Sequence, residues 1–489
     1  MDSPPVERRA WIMLALLCAI QCADVLGTTI MIVALPSIQV DLRMSGASLE
    51  LAAAIYSLVF GGLIVITGRL SDMYGARRLF LLGLGVFCVA SLMCGLSVSP
   101  AMLIGARALE GLGTALAIPA ALTMVTELFH EGPLRHRALG IWTASAAGGG
   151  ALGFTLGGVV TEMAGWRWIF LLNIPISLLA LVVLPRLIGN RWIEGSTRRG
   201  VAPLGAILLT SSLFALLYGL TRSKEEGMVS PPVISILGGG AVLLAAFVVT
   251  ERRTRQPLIA PDLVRSRALT GSALVAFALT ATTSSAGVLM TLFMQAGLGL
   301  SPSEAGVMLA PSSLAVVAGS MAGARFTDRF GFRASMALGL AGVAAGMLVD
   351  ASGVAMESLP LLVSGLVVSG AALGCASVAS TGGGLSAIDD ARKGIAAGLL
   401  NSTAKIGTAL GIALIPAVGA AWIGAGSLAG GSVAPELQTG FLAAFGCAAI
   451  VAVLAIPVAW SSFAEENPSN PSRNDRVFDR PPKARPPVA

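Results

Sequence analysis

Charged side chains are what this chain most lacks. Only 12% of its 489 residues are Asp, Glu, Lys or Arg, against roughly 25% in a soluble domain. A soluble protein of this length can bury a large core, but its surface must still be covered with charge. The deficit therefore excludes water as the solvent for most of the exterior and leaves lipid. Histidine is scarce too: His130 and His136 share one short polar loop, and no ligand spacing surrounds them, so neither a metal nor any other cofactor is expected. Cys18, Cys22, Cys88, Cys94, Cys375 and Cys447 all fall inside apolar runs and read as small packing residues. The chain has no GxxxxGK[ST] motif, which excludes nucleotide hydrolysis by that route. No histidine pair, acidic metal site or nucleophile with a base is present, so an enzyme is not expected.

Apolar residues fill the space that charge leaves, at 55% of the chain. A membrane-crossing helix needs about 20 consecutive residues that are mainly apolar. Such runs occur at 11–35, 49–69, 79–99, 101–127, 137–160, 167–187, 204–221, 232–250, 268–294, 304–324, 334–352, 358–387, 393–423 and 438–460. A barrel would show short alternating segments instead. The sequence thus predicts an all-α polytopic membrane protein with fourteen transmembrane helices. The first run has no small-residue cleavage site after it and is long enough to span, so it reads as a retained helix. The proline-rich, charged stretch 461–489 reads as a disordered tail.

The distribution of basic residues tests the count. Positive charge gathers in cytoplasmic loops, and a cytoplasmic N-terminus puts 26 of the 32 Lys and Arg on the inside. Outside loops hold only Arg43, Arg167, Arg222 and Lys224, and no inversion occurs along the chain. Both termini are therefore expected in the cytoplasm. The same spacing of basic residues between apolar runs argues against nucleic acid as a partner.

A repeat organises the runs. GRLSDMYGARR, beginning at Gly68, follows the second run, and ARFTDRFGFR follows the tenth. Asp72, Gly75 and Arg77 match Asp328, Gly331 and Arg333 at a constant offset of 256 residues. Repeated halves of this kind let secondary transporters rock two bundles about a central site. The expected organisation is a six-helix bundle at 1–187, loops and two inserted helices at 188–267, a six-helix bundle at 268–460, and the tail. Glycine in these loops allows a tight turn, and Asp72 can latch the bundles by meeting a helix N-terminus or nearby arginines.

These motifs resemble the major facilitator superfamily, in particular its fourteen-helix drug:proton antiporter branch. The loop copies resemble the superfamily's signature, departing at Met73 and Ala76, where basic residues are usual. Gly140, Gly149, Gly153, Gly157 and Gly158 fall at the spacing of the branch's antiporter signature in helix five, with Phe154 where that signature has proline. WRWIFLLNIPI (166–176) is similar to the start of the branch's helix six, and ALPSIQVDL to the end of its helix one. The branch's helix-one aspartate would fall at Gly27, whereas this chain has Asp24 one turn earlier, on the same face. RALEGLG resembles the helix-four arginine motif, with Glu110 in place of glutamine. The resemblance implies a pseudo-symmetric pair of bundles working by alternating access, and export of drugs or antibiotics in exchange for protons.

Ionisable groups within membrane spans are expensive, and by default they face an interior cavity and carry function. Asp24, Arg107, Glu110 and Lys405 are such groups and are the candidates for proton coupling and substrate contact. Glu110 reads either as the counter-ion of Arg107 at i, i+3 or as a carboxylate that gains and loses a proton. The expected partners are lipid, protons and a small amphipathic drug-like molecule, and the expected state is a monomer. Only four of the 32 basic residues are lysine, a bias of GC-rich bacterial genomes, which points to a bacterial cytoplasmic membrane. An importer of a small organic solute built on the same fold and a non-transporting membrane sensor are the rival expectations.

Overall fold

The structure is a computed structural model that describes residues 8–129, 133–187, 203–227, 229–254, 263, 265–386, 388–389, 392–420 and 435–462. The expected disordered tail past 462, the loop 188–202, His130, and the side chains of His136 and Asp72 lie outside the described residues. No strand occurs among the described residues, as is required of a chain whose backbone must satisfy its own hydrogen bonds in lipid without closing a barrel.

In the first half the helices are α1 (Arg8–Asp41), α2 (Gly46–Tyr74), α3 (Ala76–Gly95), α4 (Pro100–Leu128) and α5 (Pro133–Ala164). They are followed by a sixth passage in two pieces, α6 (Trp168–Leu171) and α7 (Asn173–Leu187). Next come α8 (Pro203–Glu226) and α9 (Pro231–Arg253). The second half holds α10 (Arg267–Leu292) with a π-helical turn at Phe293–Gly297, then α11 (Pro302–Ala355), α12 (Leu359–Ser386), α13 (Lys393–Ala420) and α14 (Pro435–Ser461). Several starts are marked chemically. Ser45, Ser99, Ser266 and Ser301 each accept the backbone N–H three residues on, which satisfies one of the orphan donors of a first turn.

Twelve helices among the described residues are long and apolar enough to cross a membrane. Two features separate that number from the fourteen apolar runs. Glycine-rich α5 is not among the twelve, and α11 is counted once although its 54 residues would extend about 80 Å as one straight helix. Its backbone leaves helical geometry at Gly331, where φ is 81°.

Gly331 is one of the paired loop glycines, and its counterpart Gly75 has φ 88°. Both therefore occupy the left-handed region open to glycine. The arginine two residues on then reaches the sixth passage of its own half. Arg77 Nη2 donates to the Pro185 carbonyl of α7 at 3.3 Å, and the Arg333 guanidinium lies 3.8 Å from the Trp460 ring centroid on α14. The sequence repeat is thus a repeat of backbone conformation and of packing partner.

Within the halves, α1 packs on α5, α3 on α4, α10 on α13, and α11 on α12; α5 against α11 and α2 against α13 join the halves. Helices α8 and α9 pack on each other, and α8 lies against α2. One buried apolar cluster runs across the joint, including Ile30, Phe154, Met290, Phe293 and Leu309.

Candidate functional site

Two arrays of polar groups lie inside this apolar body. The first is a charge cluster among α1, α2, α3 and α4. The Arg107 Nη1–Glu110 Oε2 distance is 2.7 Å, as the i, i+3 spacing on one helix face permits. Ser91 donates to the other oxygen of Glu110 at 2.8 Å, and Cys94 Sγ lies 4.0 Å from Oε2. Across the cluster, the Tyr56 hydroxyl donates to Asp24 and its oxygen is 3.1 Å from Thr114 Oγ1. The Arg107 guanidinium lies 4.5 Å from the Tyr56 ring centroid. Asp24 is 4% exposed, and Arg107 and Glu110 are 1% exposed. The cluster therefore holds one cation and two carboxylates away from solvent. With Glu110 held by Arg107, Asp24 is the carboxylate in excess. The void beside Asp24 is about 10 Å³, room for a single water at most.

The second array is a cavity of about 200 Å³ between the halves, bounded by α1, α5, α10, α11, α12 and α13. Thr28, Thr29, Thr283, Ser284, Ser312 and Thr408 are among its hydroxyl-bearing walls, set between apolar residues such as Ile32, Phe154 and Leu309. No charged side chain lines it among the described residues. Apolar walls with a few polar groups are what a small-molecule site presents. The cavity approaches the charge cluster along α1, where the Thr28 hydroxyl donates to the Asp24 carbonyl at 3.1 Å.

The candidates from the sequence divide accordingly. Asp24, Arg107 and Glu110 come together, whereas Lys405 does not join them. It stands on the α2–α13 joint with its ammonium 4.7 Å from the Phe60 ring centroid, a cation–π placement. Phe60 stands edge-on to Tyr56 one turn away, centroids 6.3 Å apart, so two aromatic rings separate the lysine from Asp24. Of the loop residues, Gly75, Arg77, Gly331 and Arg333 take the paired geometry described above. Asp328 is exposed, and a Cβ on Gly68 would meet nothing within 4 Å.

Four of the five helix-five glycines mark close approach. A Cβ at Gly149 would lie 2.5 Å from the Cys22 carbonyl oxygen, one at Gly153 would strike the Thr29 hydroxyl, and one at Gly157 would lie 2.6 Å from the Ile30 side chain. At Gly158 it would meet the backbone of Pro302 and Ser303. The ladder thus seats α5 on α1 and on the start of α11. Gly140 faces open space. With Phe154 where the family signature has proline, α5 is helical throughout Pro133–Ala164, as a residue that keeps its backbone N–H allows.

Two buried polar residues went unread in the sequence. Tyr56 is one of only three tyrosines in the chain, and a tyrosine far from the lipid–water interface needs a hydroxyl partner, which was the available signal. Asp350, inside the run 334–352, is 0% exposed, and its presence in an apolar run was likewise the signal.

Paired helical halves, a buried charge cluster and a cavity at the joint define a multi-pass membrane transporter. The family model of the Major Facilitator Superfamily matches residues 17–260 and 272–487, and the chain belongs to that superfamily; it is a transporter rather than an enzyme. It is 38% identical over 413 residues to the cephamycin export protein CmcT of Amycolatopsis lactamdurans, covering 82% of this chain and 83% of that protein. It is 34% identical over 422 residues to the puromycin resistance protein pur8 of Streptomyces alboniger, covering 85% and 82%. Among solved structures, a bacterial homologue of the human lysosomal transporter Spinster, inward-facing and occupied, superposes with a TM-score of 0.63 over 94% of this chain and 97% of that one. At 17% identity that likeness speaks for the fold alone.

Proposed function

We propose that this protein exports small amphipathic antibiotics across a bacterial cytoplasmic membrane in exchange for protons, as a monomer with fourteen crossings arranged six, two and six. Both termini are cytoplasmic in this reading, the inserted pair is α8 and α9, and the domain limits are those expected from the sequence. The break at Gly331 supports counting α11 as two crossings, and the seating of α5 among the other helices supports counting it as one. Similarity to a cephamycin exporter and a puromycin resistance protein supports export as the direction and antibiotics as the cargo.

The observation that carries proton coupling is the uneven charge of the buried cluster. One cation faces two carboxylates, so a proton on Asp24 leaves the cluster neutral and its loss leaves one net negative charge in a low-dielectric site. The bond from Tyr56 holds Asp24 in place for that exchange. Arg107 is paired with Glu110 at 2.7 Å and serves as its counter-ion. Substrate binds in the hydroxyl-lined cavity between the halves. Because none of the three charged groups lines the cavity, proton and drug act on each other through α1 and the rocking of the halves rather than by contact. Asp72 and its loop partners bias the two states at the cytoplasmic end.

A drug-susceptibility panel on cells with and without the gene, repeated with Asp24→Asn, tests this reading. Resistance conferred by the wild type and lost in the variant is expected. Export from vesicles that continues undiminished after the pH gradient is collapsed would sink it.

A further inference from the structure

Asp350 plays no part in the mechanism above, yet it is a fully buried ionisable residue without a side-chain partner among the described residues. It lies on the second segment of α11, five residues before the helix ends at Ala355. It is 0% exposed, and neither carboxyl oxygen has a hydrogen-bond partner among the described residues. Oδ1 presses on Gly365 of α12, where a Cβ would collide with it. One turn along each helix, Gly346 meets Ser369 at the distance of bare backbone, a Cβ there falling 2.8 Å from that of Ser369. Ser369 itself lines the inter-half cavity.

The surrounding elements supply no counter-charge. Residues 359–386 of α12 and 268–292 of α10 contain no Asp, Glu, Lys or Arg. On α14 the only acid is Glu436, whose side chain lies outside the described ones; Cys375 on α12 and Cys447 on α14 are the only thiols. Glu357 is exposed in the turn beyond the helix. An ionised carboxylate cannot persist in such a place unpaired, and neutralises instead. The repeat adds a second observation: the 256-residue offset carries Asp350 onto Cys94, the residue beside Glu110 in the first half. Each half therefore buries a carboxylate on the seam between its third and fourth helices, but only the first half also provides an arginine.

We infer that Asp350 is a second proton-binding site, loaded in this conformation and discharged during the transport cycle. The carboxylic acid gives its proton to water that enters past Ser369 when the halves move, leaving a carboxylate that is solvated only in that state. Reclosing the seam requires the proton back. The site stands on geometry alone, and only its place in the cycle rests on the proton-exchange reading.

Infrared spectroscopy of the full chain in lipid at neutral pH reads the site directly. The expected result is a carboxylic-acid C=O band that Asp350→Asn removes and Asp24→Asn leaves in place. A band unchanged in the Asp350→Asn protein overturns the inference. Should that variant fold poorly, the Asp24→Asn protein carrying carbon-13 at its aspartate carboxyls serves, and no isotope-shifted band would overturn it equally. In cells, Asp350→Asn expressed at the wild-type level is expected to lose the resistance the wild type confers to puromycin or a cephamycin. Full resistance would mean that the proton never leaves, and would overturn the cyclic role. A wild type that confers no resistance but shows the band sinks the export reading and leaves the site standing.

Discussion

Arg107 and Glu110 illustrate how much a buried ion pair depends on both partners. Replacing either one leaves the other charged and unpaired, a change that costs on the order of 3–5 kcal/mol. Arg107→Ala and Glu110→Ala are each expected to lower the melting temperature of the purified protein markedly. Replacing both by leucine is expected to recover much of that loss, and the proposed proton exchange predicts that transport stays absent, since the cluster then lacks its cation. At the C-terminal end of α1, Asp41 accepts hydrogen bonds from Arg167 at 2.6 Å and Trp166 at 3.0 Å. The Arg167 bond first, and then that of Trp166, hold its carboxyl below the usual carboxylate range. A carboxyl lowered by folding adds stability at pH values above its unfolded range and loses that contribution as pH falls through the lowered value. Asp41→Asn should therefore melt slightly lower than wild type at neutral pH, with the gap closing in acid. The effect is small because both side chains are over a third exposed and water screens the pair.

At the scale of single helices, α5 decides how closely the halves meet. Its glycines lie against the backbones of α1 and α11, so each methyl group added there separates two helices that associate by van der Waals packing. Gly153→Ala and Gly158→Ala are expected to impair transport at normal expression, with Gly158 acting on the joint between halves and Gly153 within one half. Gly140→Ala, where a Cβ meets nothing within 4 Å, is the internal control and should be indistinguishable from wild type in a resistance assay. A Gly140→Ala protein as impaired as Gly158→Ala would show that helix flexibility, not close approach, is what these glycines provide. In α11, Gly331 has a positive φ like that of Gly75, and a side chain at either is strained by about 1–3 kcal/mol.

At the scale of the whole molecule, polar contacts cross between the halves on the side where α5 ends and α11 begins. Glu162 on α5 accepts from the Ser303 amide at 3.2 Å and from the Ser303 hydroxyl, and Gln295 donates to the Val33 carbonyl at 2.8 Å. The Ser303 bonds hold the Glu162 carboxyl below its ordinary range, so this latch is present at neutral pH and weakens as pH falls through that lowered value. Glu162→Ala should shift the conformational equilibrium toward the state open on that side. Distances between spin labels on the turns after α5 and before α11 would report it as a larger population of long distances. An unchanged distribution would show that the apolar joint alone keeps that side shut.

Membrane solvent, the all-helical class and the repeat were legible in the sequence because each depends on properties local to a segment: run length, composition, and a motif with glycine at a fixed place. The Arg107–Glu110 pair was legible for the same reason, since three residues along one helix fix its geometry. Tyr56 as the partner of Asp24, the separation of Lys405 from that cluster, the hydroxyl-lined cavity and the isolation of Asp350 were not. In lipid a helix is apolar around its whole circumference, so periodicity does not tell the face toward a neighbour from the face toward the bilayer. Which polar residues meet depends on the rotation of each helix about its own axis, and only packing against the other helices decides it. Asp24 and Asp350 look alike in the sequence, each a lone aspartate in an apolar run. Tertiary structure alone supplied one with a tyrosine and a nearby arginine, and left the other with neither among the described residues.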